Sequence, residues 1–388
     1  MSNTDEHGHI AADTTEDDGD SALGPVRCCD ERLFLREVVV GGRSEKTRSW
    51  ELASALLCRN SAKHSQSLRE SLTSLHSSIL AFQEENGRTY HALSAGKNTT
   101  PPLRSVTEYI LPNDDGENDR LDLQHHLDIL VFEGRLALCP KAESGAKQVL
   151  DVGTGTGIWA IEFADLHPEA NVIGVDLSPI QPDFIPPNCT FEIDDVEKEW
   201  TWSKPFDFVF ARHMCASFQD YQGFVDKAFS ALEPGGYLEM QDLDFPMRCD
   251  DDTMSKDSYI YKWTQGFVDA GENLGRPINS APKYKRMLEK AGFVDVVEKQ
   301  FKWPMNRWPR EKKFKEIGQW AFANVDGGLE GLSLASFTRG LGWSKEETLA
   351  FCMNVRKDLK NVRIHGYWAV YVVYGKKPGD KGKGKEGE

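Results

Sequence analysis

The chain of 388 residues contains no apolar run approaching the ~20 residues that a bilayer-spanning helix requires, which excludes an integral helical membrane protein. Basic residues are in deficit, 46 Lys and Arg against 61 Asp and Glu, for a net charge of −15. A protein that grips nucleic acid through its phosphates needs a basic face, so direct nucleic-acid binding is not expected. The eight cysteines include no CxxC pair, which argues against a disulfide framework and for reduced thiols in an intracellular protein. On that basis the Asn-x-Thr sequons at Asn98 and Asn188 are chance occurrences. The acidic N-terminus has neither the basic nor the apolar region of a targeting leader. No metal is expected, because His7 and His9 stand alone in a polar tail and no His/Cys cluster has ligand spacing. There is also no G-x-S-x-G elbow and no P-loop.

Composition divides what is there. Residues 1–27 lack aromatics and read as a disordered acidic tail, and 378–388 as a disordered basic tail. Residues 28–66 form an extra segment with no recognisable chemistry, and the paired prolines within 97–105 mark an exposed loop. From 67 to 377 the pattern is that of a folded domain. Leu68, Leu72, Leu75, Ile79 and Phe82 repeat at helical spacing, with Gly87 as the stop. A second helix is predicted over 119–138, its buried face formed by Leu123, Leu127, Leu130, Val131 and Leu138. Strand-like runs follow at 148–153, 171–178, 190–195, 206–213 and 237–243, separated mostly by helix-length segments. Two more runs, 293–303 and 367–375, enclose a mainly helical insertion. Such alternation predicts an α/β fold with an open parallel sheet and right-handed crossovers.

The chemistry concentrates in Asp151-Val-Gly153-Thr-Gly155-Thr-Gly157, where a strand runs into three glycines and a helix begins. Glycines there allow a tight turn and close approach of backbone N–H groups to a ligand, beside the positive end of the helix. The dinucleotide pattern G-x-G-x-x-G fails because position 158 is Ile, which counts against an NAD-dependent dehydrogenase. The D-x-G-x-G-x-G spacing instead resembles the first motif of class I S-adenosylmethionine (SAM) methyltransferases. That resemblance implies SAM as cofactor, with its methionine end at the glycine loop and Asp151 close by. Asp176 ends the next strand, where an acid accepts ribose hydroxyls. Asp195, after the third strand, matches the position that meets the adenine, and Leu232-Glu-Pro-Gly-Gly-Tyr-Leu matches the turn before the fifth strand.

A narrower likeness lies in Tyr109-Ile-Leu-Pro-Asn-Asp, Asp119-Arg-Leu-Asp-Leu-Gln-His-His, Gly155-Thr-Gly-Ile-Trp-Ala-Ile-Glu, Leu341-Gly-Trp-Ser and Tyr367-Trp-Ala-Val-Tyr-Val-Val-Tyr-Gly. These resemble the LaeA-like (UMTA-type) fungal methyltransferases over roughly 67–377. The resemblance implies a Rossmann-like seven-stranded sheet with helices on both faces, with the SAM-binding core at 147–243, an N-terminal helical lid and a C-terminal helical insertion. It implies methylation of a small molecule of fungal secondary metabolism. The alternative is a SAM-binding nuclear regulator that works through protein partners. Cytoplasmic localisation is expected, with nuclear entry if the Lys-rich tail serves as an import signal.

His213, at the end of the fourth strand, is the first candidate for a general base, which an acceptor hydroxyl or protonated amine requires. His125 and His126 are about 100° apart on a helix, so one at most faces the cleft. His125 is the second catalytic candidate, and Gln124 is assigned to the cofactor lid. Asp114, Glu117 and Asp119 form an acidic cluster that reads more simply as a charged loop. Trp303, Trp308, Trp320, Trp343 and Trp368 crowd the C-terminal third, where core packing and a wall for a flat acceptor explain them equally well.

Overall fold

The structure, a computed structural model, describes residues 10–13, 82–91 and 109–379. The helix predicted over 68–82 lies outside these residues except for Phe82. So do the extra segment 28–66, the loop 97–105, Asn98 and most of both tails. In chain order the elements are β1 (Gln83–Glu85), β2 (Arg88–Tyr90), α1 (Asp115–Val131), α2 (Pro140–Glu143), β3 (Gln148–Val152) and α3 (Ile158–Leu166). Then come β4 (Asn171–Asp176), β5 (Cys189–Ile193), β6 (Phe206–Arg212), α4 (Tyr221–Ala231), β7 (Leu232–Leu243) and α5 (Tyr259–Asn273). The last elements are α6 (Tyr284–Ala291), β8 (Val294–Pro304), α7 (Lys312–Gly340), α8 (Lys345–Lys360) and β9 (Tyr367–Lys376).

Seven strands form one sheet in the order β5-β4-β3-β6-β7-β9-β8. The pairs from β5 to β7 are parallel, and β9 runs antiparallel to both of its neighbours. Parallel strands joined by helical crossovers are covered on both faces, so they read as continuous apolar runs. In β6 every residue but Arg212 is buried; the antiparallel β9 is covered in the same way, with every residue buried but Lys376. On one face Trp159 of α3 stacks on Phe210, ring centroids 3.9 Å apart and planes 6° from parallel. On the other, Phe218 stacks on Phe224 and Tyr221 lies beside Tyr284. Full burial of each such ring is worth about 1.5–3 kcal/mol. The insertion between β8 and β9 is the helix pair α7 and α8, which packs with α5, while α1 lies against α7.

Four local expectations are corrected. Gly87 does not stop a helix: Asn86 and Gly87, at φ 57° and 84°, turn the hairpin β1–β2, the two-residue Asn-Gly turn that matches strand twist. The second helix ends at Val131, not Leu138, because Glu133 and Gly134 adopt positive φ and reverse the chain. Its buried face takes only part of the predicted stripe: Leu127 and Val131 are buried and Leu123 and Leu130 half-buried, and Glu117, Arg120, Gln124, His125 and Asp128 complete it. Residues 10–13, assigned to the acidic tail, are anchored: Ala12 bridges Pro309 and Asp13 pairs with Lys315. Asn188 is committed to structure, donating to the carbonyls of Ala164, His167 and Ala170 around the end of α3.

Candidate active site

In an open α/β sheet, ligands bind beyond the C-terminal strand ends where the strand order reverses. Here that point lies between β3 and β6, and a cleft of about 430 Å³ opens there. Its wall includes Asp151, Gly153, Gly155, Asp176, Asp195 and Arg212, with Gln124, His125 and His213 at the lid side. Gly153 and Gly155 have φ of 69° and 57°, a region that favours glycine. Gly157 does not line this cleft. It is the left-handed N-cap of α3, and an added Cβ would come within 2.4 Å of the Phe191 ring. Its glycine therefore serves packing behind the loop.

Two carboxylates hold the loop. Asp151 is buried and accepts from Thr154 Oγ1 at 2.6 Å; burial raises its pKa to about 7. Asp176 accepts from the Gly155 N–H at 2.9 Å and from the Ser178 N–H at 3.0 Å, and burial raises its pKa too. The Leu177 N–H also favours the ionised group, and because two oxygens carry about four acceptor sites, capacity is left for a ligand. No helix lies between β4 and β5, so Asp176 caps none. Asp195 accepts from the Glu197 N–H at 3.0 Å and faces Lys198 at 3.4 Å; Asp194 is exposed on the same rim.

α1 closes the cleft and is tied to the core along its length. Asn113 donates to Ser178 Oγ at 3.2 Å, and Thr156 of the glycine loop donates to Asp122 at 2.6 Å. His125 is engaged at both ring nitrogens, Nε2 with Glu162 at 2.9 Å and Nδ1 with Arg212 at 2.7 Å. Through these two bonds His125 joins α1, α3 and β6. His126 is exposed and packs edge-on to Trp320.

His213 differs. It has φ 55°, a strained conformation for a non-glycine residue of the kind that clusters at functional sites. Its Nε2 meets Asp128 Oδ2 at 2.7 Å, and Arg212 lies 3.3 Å from the same oxygen. Burial pushes the Asp128 carboxyl up, but the charges of His213 and Arg212 outweigh it and hold the group below its ordinary pKa. When His213 is neutral, an ionised Asp128 favours the tautomer with the proton on Nε2, which leaves Nδ1 as the basic atom. Sequence reasoning missed Asp128. The signal is the spacing of polar Glu117, Arg120, Gln124 and Asp128 along one buried helix face.

A second, apolar cavity of about 130 Å³ adjoins the cleft, sharing Tyr109, Leu111, Leu121, Gln124 and His213 with it. Trp303 and Trp368 belong to its wall, as does Trp263. The other three tryptophans of the C-terminal third do not line it: Trp308 is buried against Gly366, Trp343 packs with Phe337 and Phe351, and Trp320 meets His126. The acidic cluster is dispersed. Asp114 caps α1 and pairs with Arg88, Glu117 pairs with Arg120 inside, and Asp119 is exposed. Among the described residues no group of His, Cys, Asp and Glu side chains is arranged to hold a metal.

The sheet order, the glycine loop and the acid at each strand end define a class I SAM-dependent methyltransferase. A methyltransferase-domain family model matches residues 123–298. Methyltransferase pytC of Aspergillus terreus is 37% identical over 309 residues, spanning 79% of this chain and 92% of that protein. Secondary metabolism regulator LAE1 of Cochliobolus heterostrophus is 35% identical over 300 residues, 76% of this chain and 94% of that one. Protein-methionine methyltransferase laeA of Emericella nidulans is 33% identical over 301 residues, 76% and 77% of the two chains. The chain belongs to this LaeA-like family of fungal methyltransferases, with SAM as its cofactor.

Proposed function

We propose that this protein methylates a small molecule of secondary metabolism. The observation that carries the reading is the junction of the cofactor cleft with an apolar cavity at His213. In this reading Gly153 and Gly155 let the backbone approach the methionine end of the cofactor, and Asp151 faces its ammonium. Asp176 takes the ribose hydroxyls, Asp195 the adenine edge, and Gln124 of the lid separates cofactor from acceptor. Bound SAM supplies a methyl group already activated by its sulfonium. The protein's task is then alignment, which contributes up to about 7–11 kcal/mol in favourable cases. His213 Nδ1 takes the acceptor's proton, and Asp128, ionised and hydrogen-bonded to Nε2, stabilises the imidazolium.

A second reading has support from the likeness to LAE1, whose name describes a regulator. In it the protein acts in the nucleus through protein partners, whereas the small-molecule reading is consistent with a cytoplasmic enzyme. Incubating the protein and methyl-labelled SAM with a fungal extract, then separating organic-soluble metabolites from protein, divides the two. Label in a metabolite supports the small-molecule reading. Label confined to protein contradicts it.

A further inference from the structure

The cleft and the apolar cavity meet at a mouth whose polar side chains are Tyr109, Gln124 and His213. His213 holds Asp128 through Nε2, and Gln124 Oε1 accepts from Arg120. Tyr109 is different. It is half-buried, and its hydroxyl, unlike the fully covered one of Tyr90, keeps accessible surface. That hydroxyl has no hydrogen-bond partner among the described residues. The ionisable groups that act on it are Asp176 and Glu117, from the cleft wall, and Arg120 and Cys215, from the cavity wall, so it lies between the two. Burial pushes its pKa well up, which keeps the proton on the oxygen and makes it a hydrogen-bond donor rather than a base. The segment that carries it is held firmly. Ile110 is buried, the Asn113 N–H donates to the Thr89 carbonyl at 2.9 Å, and the Asn113 side chain donates to Ser178 at 3.2 Å.

Behind the mouth the cavity is apolar, its wall including Phe245, Trp263, Phe267, Ile278 and Val325. No Asp or Glu lines it among the described residues, so it offers nothing to neutralise a cationic amine. Its arginine, Arg120, is held by both oxygens of Glu117 and by Gln124 and Asn324, so it is no receptor for an anion. The Cys215 thiol is engaged by Asp242, and the Ser336 hydroxyl donates to the Leu332 carbonyl. At about 130 Å³ the cavity suits a single ring, close to the roughly 150 Å³ void known to take benzene.

We propose that the methyl acceptor is a neutral ring carrying two neighbouring oxygens, and that Tyr109 is a specificity-determining residue whose hydroxyl donates to one of them. The ring fills the apolar cavity and turns its oxygenated edge to the mouth. One oxygen, the reacting hydroxyl, faces His213; the oxygen beside it accepts from Tyr109. The proposal rests on reading the cavity as the acceptor site.

The probes are ortho-methoxyphenol and ortho-ethylphenol, which match in size and differ in the one oxygen beside the hydroxyl. Their affinities are measured on the full chain loaded with S-adenosylhomocysteine, native and Tyr109→Phe, a change that keeps the ring and removes the donor. Affinity for the methoxy compound relative to the ethyl compound should fall about tenfold in the variant. Affinities for the ethyl compound and for S-adenosylhomocysteine should stay within about twofold, which a merely structural role of Tyr109 does not predict. In native protein labelled at tyrosine Cζ, the methoxy compound should move the Tyr109 resonance more than the ethyl compound does. That second readout holds even if the variant fails to fold. An unchanged relative affinity in Tyr109→Phe, or equal movement of the resonance by both probes, overturns the role of Tyr109 and leaves the acceptor site standing. A tenfold loss of S-adenosylhomocysteine affinity in folded Tyr109→Phe gives the hydroxyl to the cofactor and overturns that role as well. Binding of neither probe overturns both the role and the acceptor site.

Discussion

Asp151 makes cofactor affinity depend on pH in a way that can be worked out beforehand. Burial lifts its pKa to about 7, with Asp176 adding to the rise and the Thr154 hydroxyl opposing it. Above that pH the carboxylate is ionised and, in the proposed assignment, ready for the ammonium of the cofactor. Below it, a proton must leave on binding, so affinity falls by up to about tenfold per pH unit. Calorimetry with S-adenosylhomocysteine from pH 5.5 to 8.5, in buffers of differing ionisation enthalpy, reads both the slope and the protons released. Asp151→Asn should bind weakly throughout and lose most of the slope; whatever remains belongs to Asp176, whose pKa is raised as well. Stability moves the other way. The folded state holds a proton on Asp151 that the unfolded chain has lost, so stability falls as pH rises from the ordinary carboxyl range to about 7. Asp151→Asn should therefore be more stable than the native protein at pH 8 and equal to it at pH 4. A flat affinity profile in the native protein, or an unchanged slope in the variant, refutes the assignment.

Two further outcomes follow from the lid. Gly328→Ala drives a methyl group to 2.3 Å from the Arg120 side chain and should destabilise by about 1–3 kcal/mol. Its neighbour Gly327 meets nothing within 4 Å, so Gly327→Ala should be neutral or stabilising by up to about 1 kcal/mol; urea denaturation of the pair checks both. Asp128→Ala leaves Arg212 and His213 without their shared carboxylate and should lose about 3–5 kcal/mol at neutral pH. Because its pKa is lowered in the folded state, that difference should shrink as pH falls below the carboxyl range.

The central sheet was legible because parallel strands buried on both faces leave continuous apolar runs, and helix segments punctuate them. Each of the seven predicted runs became a strand within a few residues of its expected bounds. The glycine loop was legible because its backbone geometry restricts the residue type. The lid helix was harder. Its leucines suggested an apolar face; Leu127 and Val131 are buried, but most of the buried stripe is polar because Arg120 finds Asn324 on α7 and Asp128 finds Arg212 on β6. Such pairings join residues far apart in sequence, and no local pattern announces them. His125 and His126 were separated correctly by helical geometry, but both nitrogens of His125 are taken by Glu162 and Arg212. Asn86-Gly87 did carry a local hairpin signal, which the helical repeat before it obscured.

The division of labour in the cleft is tested most directly by SAM affinity in Asp176→Ala and His213→Ala, each shown to be folded. Asp176 accepts hydrogen bonds at the cofactor rim and holds Gly155, so its loss should weaken SAM binding by roughly 10- to 10⁴-fold, for one or two charge-assisted bonds. His213 faces the adjoining cavity, so its loss should leave SAM affinity within a few-fold. Abolished binding in His213→Ala, with Asp176→Ala unaffected, would contradict the account.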